Sequence, residues 1–301
     1  AVDATDEYES TRDAVKEYLN AASREEIVFT SGTTESINLV AFSFGETFVN
    51  EGDEIIVSEA EHHSDIVPWQ MLCQRKGAVL RVLHVDEDGH LNLEELKSLL
   101  NPKTRIVAVT QISNVLGILN PVKEIVSICH SAGCPVLIDG AQGMVHEGVD
   151  VQDVDCDFYA FSGHKLYAAT GTGVLYGKRK WLNQMVPYQG GGEMISTVRF
   201  SGTTYAPLPE KFEAGTQNIN AIPTLEPAIE MLKLMKDKEL LNAQEAVSQY
   251  LLHALTSNPR IRLYGVPRGT ETKIPLFSFS VEGAHHEDLA LILDKMGIAV
   301  R

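Results

Sequence analysis

From Ile27 onward the chain repeats one unit: a short apolar run, a break of polar or small residues, and then apolar residues at helical spacing. Runs at 26–30, 55–58, 79–83, 106–110, 136–139, 158–161 and 173–176 have the length and β-branched or aromatic content of buried strands. Between them, 35–42, 69–76, 93–100 and 122–132 read as helices. A chain that alternates strands with helices in this way folds as an α/β sheet, because each helix carries the chain back across a sheet face. A helix over 7–22 precedes the first strand, with Tyr8, Val15, Tyr18 and Leu19 on its apolar side. The pattern changes near Pro227. Leu225, Ile229, Leu232 and Met235 recur at helical spacing, a second helical stretch runs through Val247, Leu251 and Leu255, and 261–264, 274–281, 288–296 and 298–301 read strand, strand, helix, strand. The expectation is a large α/β domain over 1–226 and a small α+β domain over 227–301. Gly190-Gly-Gly192 and 201–209 read as irregular, and a loop of that length in a compact domain points to function or to an interface.

The predicted strands empty into polar clusters, and those clusters carry the chemistry. Asp157-Phe-Tyr-Ala-Phe-Ser-Gly-His-Lys165 ends a strand in a lysine, where open parallel sheets place their ligands. A buried amine there can lose its proton and attack a carbonyl, which makes Lys165 a candidate Schiff-base lysine; a surface lysine closing a strand is the plain alternative. One crossover upstream, Cys134-Pro-Val-Leu-Ile-Asp139-Gly-Ala-Gln142 ends in an aspartate that can keep a pyridine nitrogen protonated, or simply cap a turn. Ser31-Gly-Thr-Thr34, between the first strand and its helix, offers hydroxyls and free N–H groups suited to one phosphate, although it lacks the second glycine and Lys-Ser/Thr pair of a Walker loop. Glu61-His62-His63 follows the 55–58 strand. An imidazole at that edge can stack on an aromatic ring and move protons. Metal binding is the competing reading, but adjacent residues on extended backbone point apart and no further ligand stands at the right spacing.

Composition narrows the partners. With 41 acidic and 25 basic residues the net charge is -16, which disfavours nucleic acid and anionic membrane. No apolar run is long enough to span a bilayer and no leader opens the sequence, so a cytoplasmic location is expected. Cys73, Cys129, Cys134 and Cys156 form neither a disulfide framework nor a zinc pattern, and read as small buried side chains.

Six segments together carry a resemblance. They are Gly32-Thr-Thr-Glu-Ser-Ile-Asn, Glu61-His62-His63 with Val67-Pro-Trp, Ser113-Asn114-Val-Leu-Gly, Asp139-Gly-Ala-Gln142, Ser162-Gly-His-Lys165-Leu-Tyr and Phe212-Glu-Ala-Gly-Thr216. In this set and order the chain resembles the pyridoxal-phosphate-dependent cysteine desulfurases of the class V aminotransferase superfamily, in their sulfur-mobilisation and selenocysteine lyase-like branch. The resemblance implies a type I fold, a mostly parallel sheet with flanking helices and a smaller C-terminal α+β domain that is incomplete here. It implies pyridoxal 5'-phosphate on Lys165, Asp139 at the pyridine nitrogen, Gln142 at the ring hydroxyl and His62 over the ring. Thr33, Thr34, Ser162 and His164 would bind the phosphate. Thr216 would reach the phosphate of a neighbouring subunit, so a homodimer is implied. Asn114 and Arg301 would contact the substrate, L-cysteine or L-selenocysteine, and no metal is expected. The products would be L-alanine and an enzyme persulfide, passed to a sulfur-acceptor protein for iron–sulfur cluster assembly.

The sequence departs from the family in two places. Ala168-Ala-Thr-Gly stands where the family has Gly-Pro-Thr-Gly. The family's first stretch, the nucleophilic cysteine on a mobile loop after the counterpart of Arg301, and a later carboxylate-clamping arginine are absent from the 301 residues, so both ends are expected to be missing. Transamination, selenocysteine cleavage and β-elimination use the same cofactor-binding residues, and a non-catalytic protein on an inherited fold is a further alternative.

Overall fold

The computed structural model describes residues 2–237, 242–267 and 273–301. The chain enters as α1 (Val2–Leu19) and then runs β1 (Ile27–Thr30), α2 (Thr33–Phe48), β2 (Glu54–Ser58), α3 (Val67–Lys76), β3 (Val79–Leu83), α4 (Leu93–Leu99), β4 (Thr104–Thr110), α5 (Val122–Ser131) and β5 (Val136–Asp139). Two single turns, α6 (Gly143–His146) and α7 (Val151–Val154), lead to β6 (Phe158–Ser162), β7 (Gly173–Gly177) and α8 (Arg179–Leu182). The hairpin β8 (Ile195–Arg199) and β9 (Gly202–Tyr205), α9 (Leu225–Asp237), α10 (Asn242–Thr256), β10 (Ile261–Tyr264), β11 (Ser278–Val281) and α11 (His286–Lys295) complete the described elements.

Seven strands form one sheet in the order β1-β7-β6-β5-β4-β2-β3. The run from β3 to β6 is parallel throughout, and β7 lies antiparallel between β6 and β1. Alternation along each strand splits the core into two layers. Ile56, Val107, Val109, Ile138, Tyr159 and Phe161 face one side, with Val15 and Leu19 of α1, Ile125 of α5 and Leu225, Ile229 and Leu232. Ile55, Val57, Ile106, Ala108, Leu137, Phe158 and Ala160 face the other, with Ile37, Val40 and Phe44 of α2 and Trp69 and Leu72 of α3. The sheet is thus buried on both faces, as a parallel sheet must be. Because β3 and β2 were laid down in one direction from β4 and β5 and β6 in the other, the strand order reverses between β2 and β4. The carboxyl ends of the strands there leave a crevice, which is where such sheets bind ligands.

All seven sheet strands, and α2 to α5 between them, lie where the apolar periodicity places them, although α2 extends beyond the expected 35–42 to Thr33–Phe48 and the turns α6 and α7 were not expected. The differences lie elsewhere. The first helix runs Val2–Leu19, not 7–22, and stops where Asn20 takes a left-handed φ of 54°. The stretches read as irregular, 190–192 and 201–209, flank β8, and the second contains β9. Both strands are almost wholly exposed, Val198 and Tyr205 included, so no buried apolar alternation marked them. In the small part, the strand expected at 274–281 is paired only over Ser278–Val281, after Pro275, and the helix expected at 288–296 is His286–Lys295. The strand expected at 298–301 is not one: Ile298 and Val300 are exposed and, among the described residues, the backbone there joins no sheet. The expected division at 226/227 falls inside α9, whose Leu225, Ile229 and Leu232 belong to the core layer that also holds α1. All four cysteines are buried and unpaired. Among the described residues no helix is long and apolar enough to cross a membrane.

Candidate active site

A cavity of about 240 Å³ opens at the crevice. Every element that reaches it does so from a strand's carboxyl end: His62 and Ser64 after β2, Thr110, Ile112 and Asn114 from and after β4, Asp139, Ala141 and Gln142 after β5, and Ser162, His164 and Lys165 from and after β6. Thr33 and Thr34, opening α2, close the remaining side. The volume lies below the roughly 300–1,000 Å³ usual for drug-sized ligands, which limits the occupant to one small ring compound or something of that size.

The α2 end is built to receive an anion. Its N-cap is Gly32, which has no side chain to cap the helix, so first-turn N–H groups are left for another acceptor. Thr33 N–H donates to Ser162 Oγ at 2.8 Å and the Thr33 and Ser162 hydroxyls lie 2.7 Å apart; this ties the loop after β1 to the end of β6. The approach is close because two glycines face each other: a Cβ on Gly173 would lie 2.3 Å from the Gly32 Cα. Thr34 is the threonine left outside that bond, at the cavity wall.

Across the cavity, Asp139 and Lys165 end neighbouring strands. Asp139 is 3% exposed, and its Oδ1 accepts the Ala141 N–H at 2.8 Å. Burial pushes the Asp139 carboxyl above its usual range, while the Ala141 N–H and then the nearby Lys165 and His62 pull it back down. The net rise makes this carboxylate a better partner for a protonated base than a solvent-exposed one would be. It also has a cost. A carboxyl whose folded pKa is raised lends its stability below the unfolded value near 4 and loses it as pH rises through the folded value. Asp139→Asn, which keeps the bond to Ala141 N–H, is therefore expected to raise the melting temperature of the cofactor-free protein at neutral pH, with the gain fading toward about pH 4. A calorimetric pH series checks this; equal gains at both ends would contradict it.

His62 sits at the start of a single turn. Its Nδ1 accepts the Ser64 N–H at 3.1 Å and lies 2.7 Å from the Ser64 hydroxyl. An N–H can only donate, so the neutral ring carries its proton on Nε2. His63 has its ring 5.6 Å away and tilted, and among the described residues no group of three His, Cys, Asp or Glu is placed to hold a metal.

The structure thus brings Thr33, Thr34, His62, Asn114, Asp139, Gln142, Ser162, His164 and Lys165 to one cavity. Arg301 lines a second cavity of about 500 Å³, which shares Asn114 and Gln142 with the first and is otherwise walled by Leu276, Phe277, Phe279, Leu289 and other residues of the small part. Thr216 lies outside both, on the segment after Glu213. Sequence reasoning missed Ser64, which holds the His62 ring, and Thr110, although Thr110 ends a strand that was legible and so belongs to the same rim. It also gave no role to the carboxylates of Glu61 and Asp65 beneath His62.

Comparison with known proteins agrees with this arrangement. The family of class-V aminotransferases matches residues 1–301. A cysteine desulfurase of Pectobacterium atrosepticum is 48% identical over 99% of this chain and 72% of its own length. One from an Enterobacter species is 48% identical over 100% of this chain and 73% of its own. Among solved structures, the Escherichia coli cysteine desulfurase CsdA, in an S-sulfonic acid form, superposes with a TM-score of 0.90 at 41% identity, covering 100% of this chain and 74% of that one. The apo cysteine desulfurase of Thermococcus onnurineus NA1 gives 0.89 at 36% identity, over 99% and 74%.

Proposed function

The chain belongs to the class-V aminotransferase family, and from that premise we propose that it is a pyridoxal 5'-phosphate-dependent cysteine desulfurase. The observation that carries the reading is one cavity holding an amine, a buried carboxyl and an uncapped helix start. Those three features match the aldehyde, the ring nitrogen and the phosphate of the cofactor. Thr33, Thr34, Ser162 and His164 would hold the phosphate against the start of α2. Asp139 would keep a proton on the ring nitrogen, Gln142 would bind the ring hydroxyl, and His62 would cover the ring face. Bound there, the cofactor supplies an electron sink for the bonds at the substrate Cα.

Lys165 would hold the cofactor through Nζ and would take the Cα proton of L-cysteine. Asn114 would orient the substrate and Arg301 would lie toward its carboxylate from the adjoining cavity. His62, protonated on Nε2, would move a proton at the substrate sulfur. The sulfur passes to an acceptor thiol: cysteine and RSH give alanine and RSSH. None of the four cysteines here is that thiol. They are buried away from the cavity, and burial pushes their thiols upward, Cys129 to about 12. We further propose a homodimer in which Thr216 reaches the neighbouring phosphate, a sulfur-acceptor protein as partner, and the cytoplasm as the compartment, where unpaired cysteines stay reduced.

The test has two arms. Borohydride reduction of the cofactor-loaded protein, followed by peptide mass spectrometry, should find the adduct on the peptide carrying Lys165. L-cysteine with a dithiol acceptor should give alanine and sulfide in equal amounts. A 2-keto acid without transferred sulfur would point to elimination or transamination, and selenocysteine offered in competition would test the lyase alternative.

A further inference from the structure

Two carboxylates lie beneath the His62 turn and have no part in the chemistry above. Glu61 and Asp65 are 8% and 0% exposed. Each has one oxygen satisfied. Glu61 Oε1 accepts the Thr110 N–H at 2.9 Å and the Ser58 hydroxyl, and Asp65 Oδ1 accepts the Trp69 indole N–H at 2.8 Å. Their other oxygens, Glu61 Oε2 and Asp65 Oδ2, are buried without a hydrogen-bond partner, while the two carboxyl groups lie within hydrogen-bonding reach of each other. An unpaired buried acceptor carries its whole desolvation cost. Two such acceptors side by side are satisfied together by a single proton between them, since a protonated carboxyl can donate to an ionised one.

We propose that Glu61 and Asp65 share one proton, and that this acid pair positions the His62 ring at the cavity. The link to His62 is short: Asp65 N–H donates to the His62 carbonyl at 2.8 Å, and the Ser64 N–H between them donates to the ring. Glu61 is joined to His62 directly in sequence and anchored to β2 and β4 through Ser58 and Thr110. The proposal rests on the reading of His62 as the group that moves a proton at the substrate sulfur.

The charge that faces the pair is Asp139 on β5, on which Lys165 and His62 act in turn; Ser58, Thr110 and Trp69 are neutral donors. Burial pushes Glu61 upward, against the Ser58 and Thr110 donors that hold it down. Burial, and then the charges of Glu61 and Asp139, push Asp65 well above the ordinary carboxylate range. Near neutrality the pair keeps its proton. At higher pH the proton leaves, two buried anions face each other, and the contribution of the pair, present at low pH, is lost as pH rises through the folded value.

With tryptophan labelled at the indole nitrogen, the two tryptophans give two N–H resonances, which Trp181→Phe assigns. In the protein without added cofactor, the Trp69 resonance and the His62 ring protons are expected to move together with a one-proton midpoint above the ordinary carboxylate range. Asp65→Asn, whose amide replaces the shared proton with a fixed N–H, should abolish that common movement. In the holoenzyme, kcat for cysteine should fall about tenfold per pH unit above the midpoint with KM little changed, and Asp65→Asn should flatten that fall. A Trp69 signal that is flat, or that titrates only in the ordinary carboxylate range, overturns the shared proton whatever the activity. A Trp69 signal that titrates while His62 does not follow overturns the positioning role. Both resonances moving as expected in a protein that does not turn over cysteine would uphold the pair and sink the desulfurase reading instead.

Discussion

Lys165→Ala is expected to abolish cysteine turnover, with kcat lower by at least about 10⁴-fold, while the fold is kept. Two losses combine. The base that takes the Cα proton disappears, and a positioned general base alone contributes roughly 10²–10⁴-fold. On the proposed reading, the amine that would hold the cofactor is lost with it. Stability should change little, because Lys165 is only half-buried and belongs to neither core layer; surface-type substitutions away from packed features fall within about 0.5 kcal/mol. The cofactor should still bind, held by the α2 start and Asp139, but without a reducible bond to protein. The measurements are kcat, the melting temperature and the borohydride adduct. A variant that retained even a tenth of the wild-type rate would remove Lys165 from the chemistry, and an unfolded variant would show that its role is structural.

The sheet and its rim were legible because one physical rule writes both. A strand buried on two faces must be apolar, and the first residue past its end is the first free to be polar. Asp139 and Lys165 therefore announce themselves as the polar terminators of apolar runs, and Thr33 and Thr34 as the start of a helix after one. What the sequence hid lacks that contrast. The β8–β9 hairpin is exposed along almost its whole length, and its apolar residues Ile195, Val198 and Tyr205 follow no buried period-two face. The 298–301 stretch is apolar enough to read as a strand, yet apolarity alone does not supply a neighbour to pair with. The Glu61–Asp65 pair was hidden for another reason: four positions apart in a polar run, two acids carry no mark of burial until the fold encloses them, with Glu61 bonded to Thr110 of β4. Apolar periodicity reports which residues are inside; it is silent on polar residues that enter with their own partners.

The pairing of Arg12 with Glu213, 201 positions apart in the chain, is a further case, and it carries the second large effect. Glu213 is buried and accepts four donors: Arg12 Nη1 at 2.7 Å and Nη2 at 2.9 Å, the Phe29 N–H at 2.7 Å and the Tyr8 hydroxyl at 3.0 Å. Arg12, 1% exposed, also donates to the Ile27 carbonyl at 2.8 Å and lies 4.5 Å over the Phe29 ring. One contact thus fastens α1, the edge strand β1 and the segment that leads to Thr216. Arg12→Met leaves a buried carboxylate with no cation, and breaking such a pair costs about 3–5 kcal/mol, a large part of a typical total of about 5–15 kcal/mol. The melting temperature should fall by on the order of 10 °C, at roughly 2–4 °C per kcal/mol for chains somewhat shorter than this one. The cost lies in the stranded charge more than in the lost attraction, so adding Glu213→Gln, which keeps an acceptor for Phe29 N–H, should recover more than half of it. Two losses that simply add in the double variant would mean the carboxylate is not stranded by the first substitution, and that its other donors or water hold it without Arg12. Because β1 runs directly into the Gly32 loop, Arg12→Met should also weaken phosphate binding at the α2 start, and the double variant should restore that binding in step with its stability.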